Sequence, residues 1–308
     1  MGFVAGIDGG GTKTTVTVAE RSGKAVDTFT AGALNWNGQD EASFGRSLRE
    51  LLTVMAGVMG GLEHCEHICL GAAGVSNPEA EERLAACIRE HGYAGGLTIT
   101  GDHEIALRGA IDRPAGIILI AGTGSICYGR NADGLTHRTG GCGHLIDDEG
   151  SGYDIGRRLL GAVVRAADGR IAPTAITELV YAQLQLGSVR QLIGFVHDKR
   201  TNKQDIAALA PLLSQACGLG DETALAIARR CAIALVELAA PVAERLALEE
   251  GELAMAGSVL LHSGQVQAVF REALNQCFPA LACTLPKHDA AYGAVMLALR
   301  ERGAQQEG

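Results

Sequence analysis

Two glycine-rich turns in the sequence have the residue types that bind phosphate. The first spans residues 8–13, with the sequence Asp-Gly-Gly-Gly-Thr-Lys, and the second spans residues 122–125, with the sequence Gly-Thr-Gly-Ser. In such turns, backbone N–H groups can converge on an anion, and a threonine hydroxyl adds another donor. A tight hairpin by itself needs one or two glycines rather than three in a row. The first turn is therefore predicted to bind phosphate. The same prediction for the second turn is strengthened because that turn duplicates the first.

Neither turn is one of the common nucleotide-binding loops. A P-loop needs a glycine directly before its lysine and a helix after it, whereas Thr12 precedes Lys13 and β-branched residues follow. A dinucleotide-binding loop needs a third glycine where Thr14 stands, and it also opens a helix. Both turns are instead predicted to be hairpins between antiparallel strands.

Two aspartates end predicted strands and have the chemistry of catalytic or metal-binding groups. Asp8 stands at the first turn, where it would hold Mg²⁺ through water, because Mg²⁺ prefers oxygen ligands and keeps several waters. Asp102 follows a strand at 97–100, and ligands of open α/β sheets bind beyond the carboxyl ends of the strands. A carboxylate there can accept the proton of an attacking hydroxyl. By position alone, a helix N-cap explains Asp102 equally well.

The strands that position these residues occur in two copies. Strand, glycine turn, strand, turn and strand follow one another at 3–8, 14–19 and 25–30, and again at 116–121, 126–130 and 135–139. Such a repeat indicates an internal duplication. It predicts an α/β fold of two lobes around a central cleft, with the two glycine turns facing each other.

Helices occupy much of the remaining sequence. A helix over 41–57 carries one apolar face, formed by Phe44, Leu48, Leu51, Leu52 and Met55. Further helices are predicted at 78–91, after Asp102, and at 152–167, 173–186, 204–217, 222–250 and 289–302, with strands at 67–71 and 253–257. Pro241 is expected to kink or break the helix over 222–250.

The last predicted helix sets the domain boundaries. We expect it to pack back on the first lobe. The N-terminal lobe is therefore predicted to comprise residues 1–115 plus 289–308, and the C-terminal lobe residues 116–288.

Composition excludes several classes of protein. The chain has 308 residues and a formal net charge of −9, which disfavours a nucleic-acid partner. No apolar run reaches about 18 residues, so neither a membrane span nor a membrane partner is expected. The nine cysteines are widely spaced without a Cys-x-x-Cys motif, which is typical of reduced thiols in the cytoplasm. Part of the 42 glycines clusters at 9–11, 122–124, 140–143 and 150–152, where backbone would face a ligand.

The ordered set of motifs resembles a known superfamily. The two turns and Gly257-Ser258-Val259 resemble the phosphate and adenosine motifs of actin-like sugar kinases and Hsp70 proteins. The segments 140–144 and 148–153 resemble those of N-acetylglucosamine kinases and bacterial glucosamine kinases, in the BadF/BadG-type ATPase group. The likeness implies two ribonuclease H-like lobes and an ATP-dependent kinase with Mg²⁺. It further implies in-line phosphoryl transfer to the 6-hydroxyl of N-acetylglucosamine or glucosamine.

The resemblance also implies a role for individual residues. Thr12 and Thr123 would contact the phosphates, and Gly257 and Ser258 the adenosine. The other turn residues Gly10, Gly11, Lys13, Gly122 and Gly124 are further candidates for contact with ATP. The sugar would contact Asn35, Asp102, Gly141, Cys142, Gly143 and Asp148, and Gly74 is a further candidate from its own segment. Asp102 would be the general base, and Asp8 would hold the metal.

Simpler explanations stand beside some of these roles. Asn35 is also typical of a turn residue. Lys13 is equally consistent with an exposed lysine at the start of a strand, and Gly74 with a glycine at the end of a strand. The acidic run at 147–149 also fits a solvated loop, although the capping box predicted at 151–154 would fix it at a helix mouth. Cys142 stands where animal N-acetylglucosamine kinases carry tryptophan, which reduces the apolar face against the sugar.

Other activities remain open at this point. One is an activator ATPase of a 2-hydroxyacyl-CoA dehydratase-type system, which binds an iron–sulfur cluster through cysteines, although the cysteines here lack a paired-ligand motif. Others are a non-catalytic sugar or nucleotide sensor, a ROK-type kinase or repressor (whose Cys-x-Cys-Gly motif is missing), and a kinase for N-acetylmuramic acid or another hexose. A homodimer is expected.

Overall fold

The computed structural model describes residues 2–10, 13–34, 41–72, 75 and 78–307. The chain forms two compact units, one made of Met1–Arg113 with Pro286–Gly308 and the other of Pro114–Leu285. Each unit is built on one five-stranded sheet. Across the described ranges, no helix combines the length and the apolar character needed to cross a membrane.

The first unit begins with a sheet that mixes antiparallel and parallel pairs. Its elements up to residue 113 are β1 (Phe3–Gly9), β2 (Lys13–Glu20), β3 (Ala25–Gly32), α1 (Glu41–Met59), β4 (Cys65–Ala72), α2 (Pro78–Glu90), β5 (Gly96–Gly101) and α3 (Asp102–Ala110). The strand order is β3-β2-β1-β4-β5. The hairpins β1–β2 and β2–β3 are antiparallel, whereas β1, β4 and β5 run parallel.

The second unit repeats this sheet and adds a larger set of helices. Its strands are β6 (Gly116–Ala121), β7 (Ser125–Arg130), β8 (Thr136–Gly140), β9 (Gly251–Ala256) and β10 (Leu281–Thr284). Its helices are α4 (Gly152–Ala167), α5 (Ala175–Leu184), α6 (Val189–His197), α7 (Lys203–Ala207), α8 (Pro211–Gly218), α9 (Glu222–Leu246), α10 (Ser258–His262) and α11 (Gly264–Cys277). The chain then ends in α12 (Ala290–Glu307), which packs on β1, β4 and α3 of the first unit.

The topology confirms the predicted duplication. The second sheet has the order β10-β9-β6-β7-β8, with β6–β7 and β7–β8 antiparallel and β6–β9 and β9–β10 parallel. The first strand of each copy thus lies in the middle of its sheet, with its hairpin partner on one side and a parallel strand on the other. Each glycine turn consequently follows a central strand.

The apolar face predicted for α1 is confirmed. Its five apolar residues are at most 3% exposed, and they pack with β1 and β4 in one core: Phe44, Leu48, Leu51, Leu52 and Met55. The alternating apolar residues of β1 supply the opposing surface through Ala5 and Ile7. Burial of this face stabilises the helix more than its intrinsic propensity does.

The helical region of the second unit differs from the prediction in two places. The helix predicted over 204–217 is two helices, α7 and α8, because Pro211 starts α8 at a position where its missing N–H costs nothing. The helix predicted over 222–250 ends at Leu246, and the break expected at Pro241 is wrong, since α9 continues through it. Buried neighbours on both sides, Ala239 and Val242, hold that stretch in the core and offset the lost hydrogen bond.

Four elements of the second unit were not predicted. They are α6, α10, α11 and β10. Strand β10 has four residues with only Leu281 buried, which is too short for a clear alternating pattern. The polar residues of α11 dilute its apolar stripe, which rests on Val266, Phe270 and Leu274.

Helices α3 and α12 approach each other closely through glycine. A Cβ atom at Gly293 would overlap the Ile105 carbonyl oxygen and the backbone of Gly109. Backbone N–H groups of Lys287 and His288, just before α12, donate to the last turn of α3 at 3.2 and 2.9 Å. These contacts fix the direction of α3, whose first residue is Asp102.

We expect Gly293→Ala to destabilise the protein by about 1–3 kcal/mol, since backbone cannot move aside as a flexible side chain can. Urea unfolding followed by circular dichroism measures the change. Gly303→Ala in the same helix is the matched control, because nothing lies within 4 Å of its added methyl group. That variant should be unchanged or more stable by up to about 1 kcal/mol. Equal unfolding midpoints for the two variants would contradict the close packing of α3 and α12.

Candidate active site

Asp8 and Asp102 lie at the same edge of the first sheet. Gly9 at the end of β1 pairs with Ala72 of β4, which in turn pairs with Gly101 of β5. The three parallel strands therefore end level with one another. Asp8 is the second-last residue of β1, and Asp102 is the first residue after β5.

Asp8 is a partly buried carboxylate among like charges. Burial, which is the largest cause, and the negative charges of Asp102 and Asp289 together raise its pKa to about 6 from 3.8, against a lowering by Lys13. A carboxylate in such surroundings gains from a cation, because the cation removes the repulsion between like charges. Asp289 belongs to no motif and was not predicted; it precedes α12 and accepts a hydrogen bond from the Tyr292 backbone N–H at 2.8 Å. Only the return of α12 to the first unit brings it near Asp8.

The donor set at this edge fits Mg²⁺. Its side-chain donors are carboxylate oxygens, which Mg²⁺ prefers. Within the described residues, no group of three or more His, Cys, Asp and Glu side chains is arranged to hold a metal. Mg²⁺ needs no such cage, because it is commonly bound through one or two carboxylates while keeping several waters and contacting substrate phosphates. Asp8 is thus suited to supply one ligand.

Asp102 presents an accessible carboxylate at the start of α3. Its side chain is 45% exposed, and its Oδ1 accepts a hydrogen bond from the His103 backbone N–H at 2.9 Å. The N-cap of α3 is Gly101, which makes no side-chain capping bond, so the explanation of Asp102 as a helix N-cap is wrong. Its accessible carboxylate oxygens can accept a proton.

Several predicted residues of the first unit lie outside the described residues: Gly11, Thr12, Asn35 and Gly74. Of the predicted phosphate contacts in the first turn, Gly10 and Lys13 are described. The Gly10 N–H donates to the Lys13 carbonyl at 3.1 Å, and the Lys13 side chain is exposed. Their predicted contacts with phosphate stay predictions.

A cavity of about 370 Å³ lies beside the second glycine turn, wholly within the second unit. Apolar residues and hydroxyl-bearing residues form most of its lining, together with Gln204 and His262: Gly122, Thr123, Gly152, Ile155, Gln204, Ala207, Ala208, Ala210, Pro211, Ser214, Ser258, Val259, His262 and Ser263. A volume of several hundred Å³ with mostly apolar walls and a few polar groups is typical of a small-molecule site. Three of the predicted nucleotide residues, Gly122, Thr123 and Ser258, are in this lining.

The turn and the adenosine motif meet because β6 and β9 are parallel neighbours. Ile120 pairs with Ala256, so the two strands end level. Gly257 has φ +85°, and a Cβ atom there would overlap the backbone of Ala121. Only glycine fits this conformation at this distance. The sequence did not indicate the wall that α7 and α8 contribute, because their residues there are small and carry no motif.

The second turn is tied to the loop before α4 and to the first residues of α4 by four hydrogen bonds. The Ser125 backbone N–H donates to Asp148 Oδ1 at 3.0 Å, and the Ser125 hydroxyl donates to the Glu149 carbonyl at 2.7 Å. The carbonyls of Gly122 and Thr123 accept hydrogen bonds from the backbone N–H groups of Gly152 and Tyr153, at 2.7 and 3.2 Å. Asp148 is only 4% exposed and has φ +67°. Its observed contact is with the turn, and its predicted contact with sugar stays a prediction.

The predicted sugar residues of the preceding loop are accessible. Gly141 and Cys142 are exposed, and Gly143 is half-buried. The Cys142 backbone N–H donates to Asp147 Oδ2 at 2.8 Å, which holds the loop closed. A side-chain hydrogen bond to Asp147 raises the pKa of the Cys142 thiol. His144 stacks edge-on against Tyr153, with ring centroids 4.7 Å apart.

The start of α4, just after this loop, confirms the predicted helix cap at Ser151. The Ser151 side chain accepts a hydrogen bond from the Asp154 backbone N–H at 3.2 Å. The reciprocal bond differs from a standard capping box, because Asp154 Oδ2 accepts from the Gly150 N–H at 3.1 Å. Burial would raise the pKa of Asp154, but hydrogen bonds from Arg158, Gly150 and Arg157 lower it below its ordinary value. An ionised Asp154 therefore fixes the start of α4.

These features define a class of protein. Two sheets of one topology, each with a glycine hairpin after its central strand, form the two-lobed α/β fold of the actin-like ATPases and ROK sugar kinases. A ROK family glucokinase from Streptomyces griseus shares this fold with a TM-score of 0.59 at 17% identity, over 97% of this chain and all of that chain. More narrowly, the chain belongs to the BadF/BadG/BcrA/BcrD ATPase family, whose model matches residues 5–298.

Proteins and solved structures similar to this chain match it over nearly its full length. An N-acetylmuramic acid/N-acetylglucosamine kinase from Clostridium acetobutylicum is 36% identical over 304 residues, which are 98% of this chain and 99% of that protein. A solved structure of a candidate N-acetylglucosamine kinase from Chromobacterium violaceum has a TM-score of 0.76 at 25% identity, over 97% of this chain and 99% of that chain.

Proposed function

We propose that the protein is an ATP-dependent kinase that phosphorylates an amino sugar, N-acetylglucosamine or glucosamine, at its 6-hydroxyl. The observation that carries the proposal is the accessible carboxylate of Asp102 and the partly buried carboxylate of Asp8 at one sheet edge. An acceptor for a hydroxyl proton and an oxygen ligand for a cation are what transfer of a phosphoryl group to an alcohol requires. The relative from Clostridium acetobutylicum supports the sugar class.

The nucleotide part of the proposal rests on the cavity of the second unit. Its walls of alanine and proline suit a flat base, and its serine hydroxyls suit the ribose. The turn at 122–124 would contact the phosphates, and Gly257 with Ser258 the adenosine. Gly10, Gly11, Thr12 and Lys13 of the duplicate turn are proposed as further phosphate contacts.

The reaction that we propose is an in-line displacement. Asp102 orients the sugar 6-hydroxyl and accepts its proton as the oxygen attacks the γ-phosphorus, and ADP leaves. Asp8 would hold Mg²⁺, which neutralises phosphate charge when bound. Exclusion of water around the bound substrates would limit simple hydrolysis of ATP.

Sugar recognition is proposed for the exposed loop and for polar groups matched to the hydroxyls. Gly141, Cys142 and Gly143 would lie along the sugar, with Asn35, Gly74 and Asp148 completing the set. Polar groups matched to substrate hydroxyls discriminate strongly, because an analogue without the hydroxyl leaves them unpaired. Cys142 offers a smaller apolar face than an aromatic residue, which favours tolerance of different 2-substituents.

Two further properties belong to the same proposal. All nine cysteines are free thiols, four of them buried, which supports a reducing cytoplasmic setting. We also propose a homodimer, which sedimentation equilibrium of the purified chain would test.

The activity is tested by sugar-stimulated release of ADP. We expect N-acetylglucosamine and glucosamine to raise ADP release at least tenfold above the rate without sugar, in a coupled assay with Mg²⁺. Glucose and N-acetylmuramic acid complete the panel, and mass spectrometry with NMR locates the phosphate on the product. A protein that releases no ADP with any sugar and shows iron–sulfur absorbance would instead be an activator ATPase.

A further inference from the structure

The adjacent carboxylates Asp147 and Asp148 bind two different loops of the second unit. Asp147 Oδ2 accepts from the Cys142 backbone N–H at 2.8 Å, so it holds the loop that carries the proposed sugar contacts. Asp148 Oδ1 accepts from the Ser125 backbone N–H at 3.0 Å, so it holds the proposed phosphate hairpin. Asp148 has φ +67°, so the backbone turns at this residue and the two adjacent carboxylates reach different loops.

The bond from Asp148 is built into the hairpin. Asp148 is 4% exposed and Ser125 is 2% exposed, so water does not compete for either group. A Cβ atom at Gly124 would lie 2.7 Å from Asp148 Oδ1, so the carboxylate occupies the space that a side chain there would need. Hydrogen bonds to a charged acceptor are stronger than neutral ones. The carboxylate therefore determines the position of the hairpin backbone.

Three more bonds make the same connection. They join the Ser125 hydroxyl to the Glu149 carbonyl, and the Gly122 and Thr123 carbonyls to the start of α4. Gly122 and Thr123 also line the cavity. A displacement of the segment 148–153 must consequently move part of the nucleotide site.

We propose that Asp148 is a positioning residue for the phosphate hairpin and that the pair Asp147–Asp148 links the sugar loop to it. The inference rests on the proposed function for the identity of the two ligands. It goes beyond a sugar contact, because it assigns Asp148 an effect on nucleotide binding when no sugar is present. Binding of sugar at the loop would therefore affect the position of the hairpin through the adjacent residues Asp147 and Asp148.

The test measures nucleotide binding without sugar. A non-hydrolysable ATP analogue with Mg²⁺ is titrated calorimetrically into the wild type, Asp148→Asn and Asp148→Gly. The glycine variant removes the acceptor without backbone strain at positive φ, and we expect its Kd to rise about tenfold or more. The asparagine variant keeps a carbonyl oxygen for the Ser125 N–H, and we expect its Kd to stay within about threefold of the wild type.

Asp147→Ala is the matched control. It frees the sugar loop but leaves the hairpin bonds intact, so we expect a raised sugar KM with an unchanged nucleotide Kd. An unchanged nucleotide Kd in Asp148→Gly, with only the sugar KM raised, would overturn the inference and make Asp148 a sugar ligand alone.

A third variant covers the case in which Asp148→Gly does not fold. Ser125→Ala removes the bond to the Glu149 carbonyl and should weaken nucleotide binding in the same direction by a smaller factor. A nucleotide Kd for Ser125→Ala equal to that of the wild type would overturn the inference. Absence of nucleotide binding in the wild type would instead contradict the proposed function, so the two failures are distinguishable.

Discussion

Asp102→Asn is expected to lower kcat by about 10²–10⁴-fold while leaving the Kd for ATP within about threefold of the wild type. The amide keeps the size and the hydrogen bond from His103, but it cannot accept the proton of the attacking hydroxyl. Because the base acts only as the hydroxyl reacts, the loss falls on kcat rather than on nucleotide binding. Steady-state ADP release gives kcat, and calorimetric titration of an ATP analogue gives the Kd.

Asp112→Asn is the control for that variant. Asp112 lies just beyond the other end of α3 and is half-exposed, and its carboxylate pairs with Lys287 at 2.9 Å. Loss of an exposed pair costs little stability, so this variant should keep full activity. Full activity in Asp102→Asn would refute its role as the base. An equal loss in both variants would point to a disturbed helix instead.

The duplicated sheets could be predicted from the sequence because their signal is local. The β-branched alternation of 14–18 and the glycine turns on either side identify a hairpin without knowledge of the rest of the fold. Strand β10 has only four residues, too few for a clear alternating pattern, and the division between α7 and α8 follows from Pro211 at the start of α8. Pro241 shows a limit of local signals, since the burial of its neighbours Ala239 and Val242 overrides its preference for ending a helix.

The site was predictable where a motif carries it and was missed where packing creates it. Asp8, Asp102 and the turn at 122–124 stand at strand ends that periodicity locates. The nearness of Asp289 to Asp8 requires α12 to return over more than 170 residues of the second unit. The burial of Asp148 against Ser125 joins residues 23 apart, and nothing in an acidic run distinguishes a solvated carboxylate from a buried one.

Asp8→Asn is the second variant with a large expected effect, because it should abolish activation by Mg²⁺ and lower kcat by about 10²-fold or more.

Asp8 has a folded-state pKa of about 6 against 3.8, so the unfolded chain ionises more readily than the folded one. The stability that protonated Asp8 contributes is therefore present below about pH 4 and is lost as pH rises through about 6. At about pH 7.5 without metal, Asp8→Asn should be more stable than the wild type by about 1–2 kcal/mol.

Mg²⁺ is expected to reverse this order, because a nearby cation favours the ionised carboxylate that burial and the neighbouring negative charges disfavour. Mg²⁺ should raise the melting temperature of the wild type more at about pH 7.5 than at about pH 5, and it should not raise that of Asp8→Asn at either pH. Asp27→Asn, on the exposed strand β3, is the control and should respond to Mg²⁺ as the wild type does. Equal stabilisation of Asp8→Asn and Asp27→Asn by Mg²⁺ would place the ion elsewhere. Without metal, a stability difference between Asp8→Asn and the wild type that does not grow in favour of Asp8→Asn between about pH 4 and pH 7 would contradict the raised pKa of Asp8.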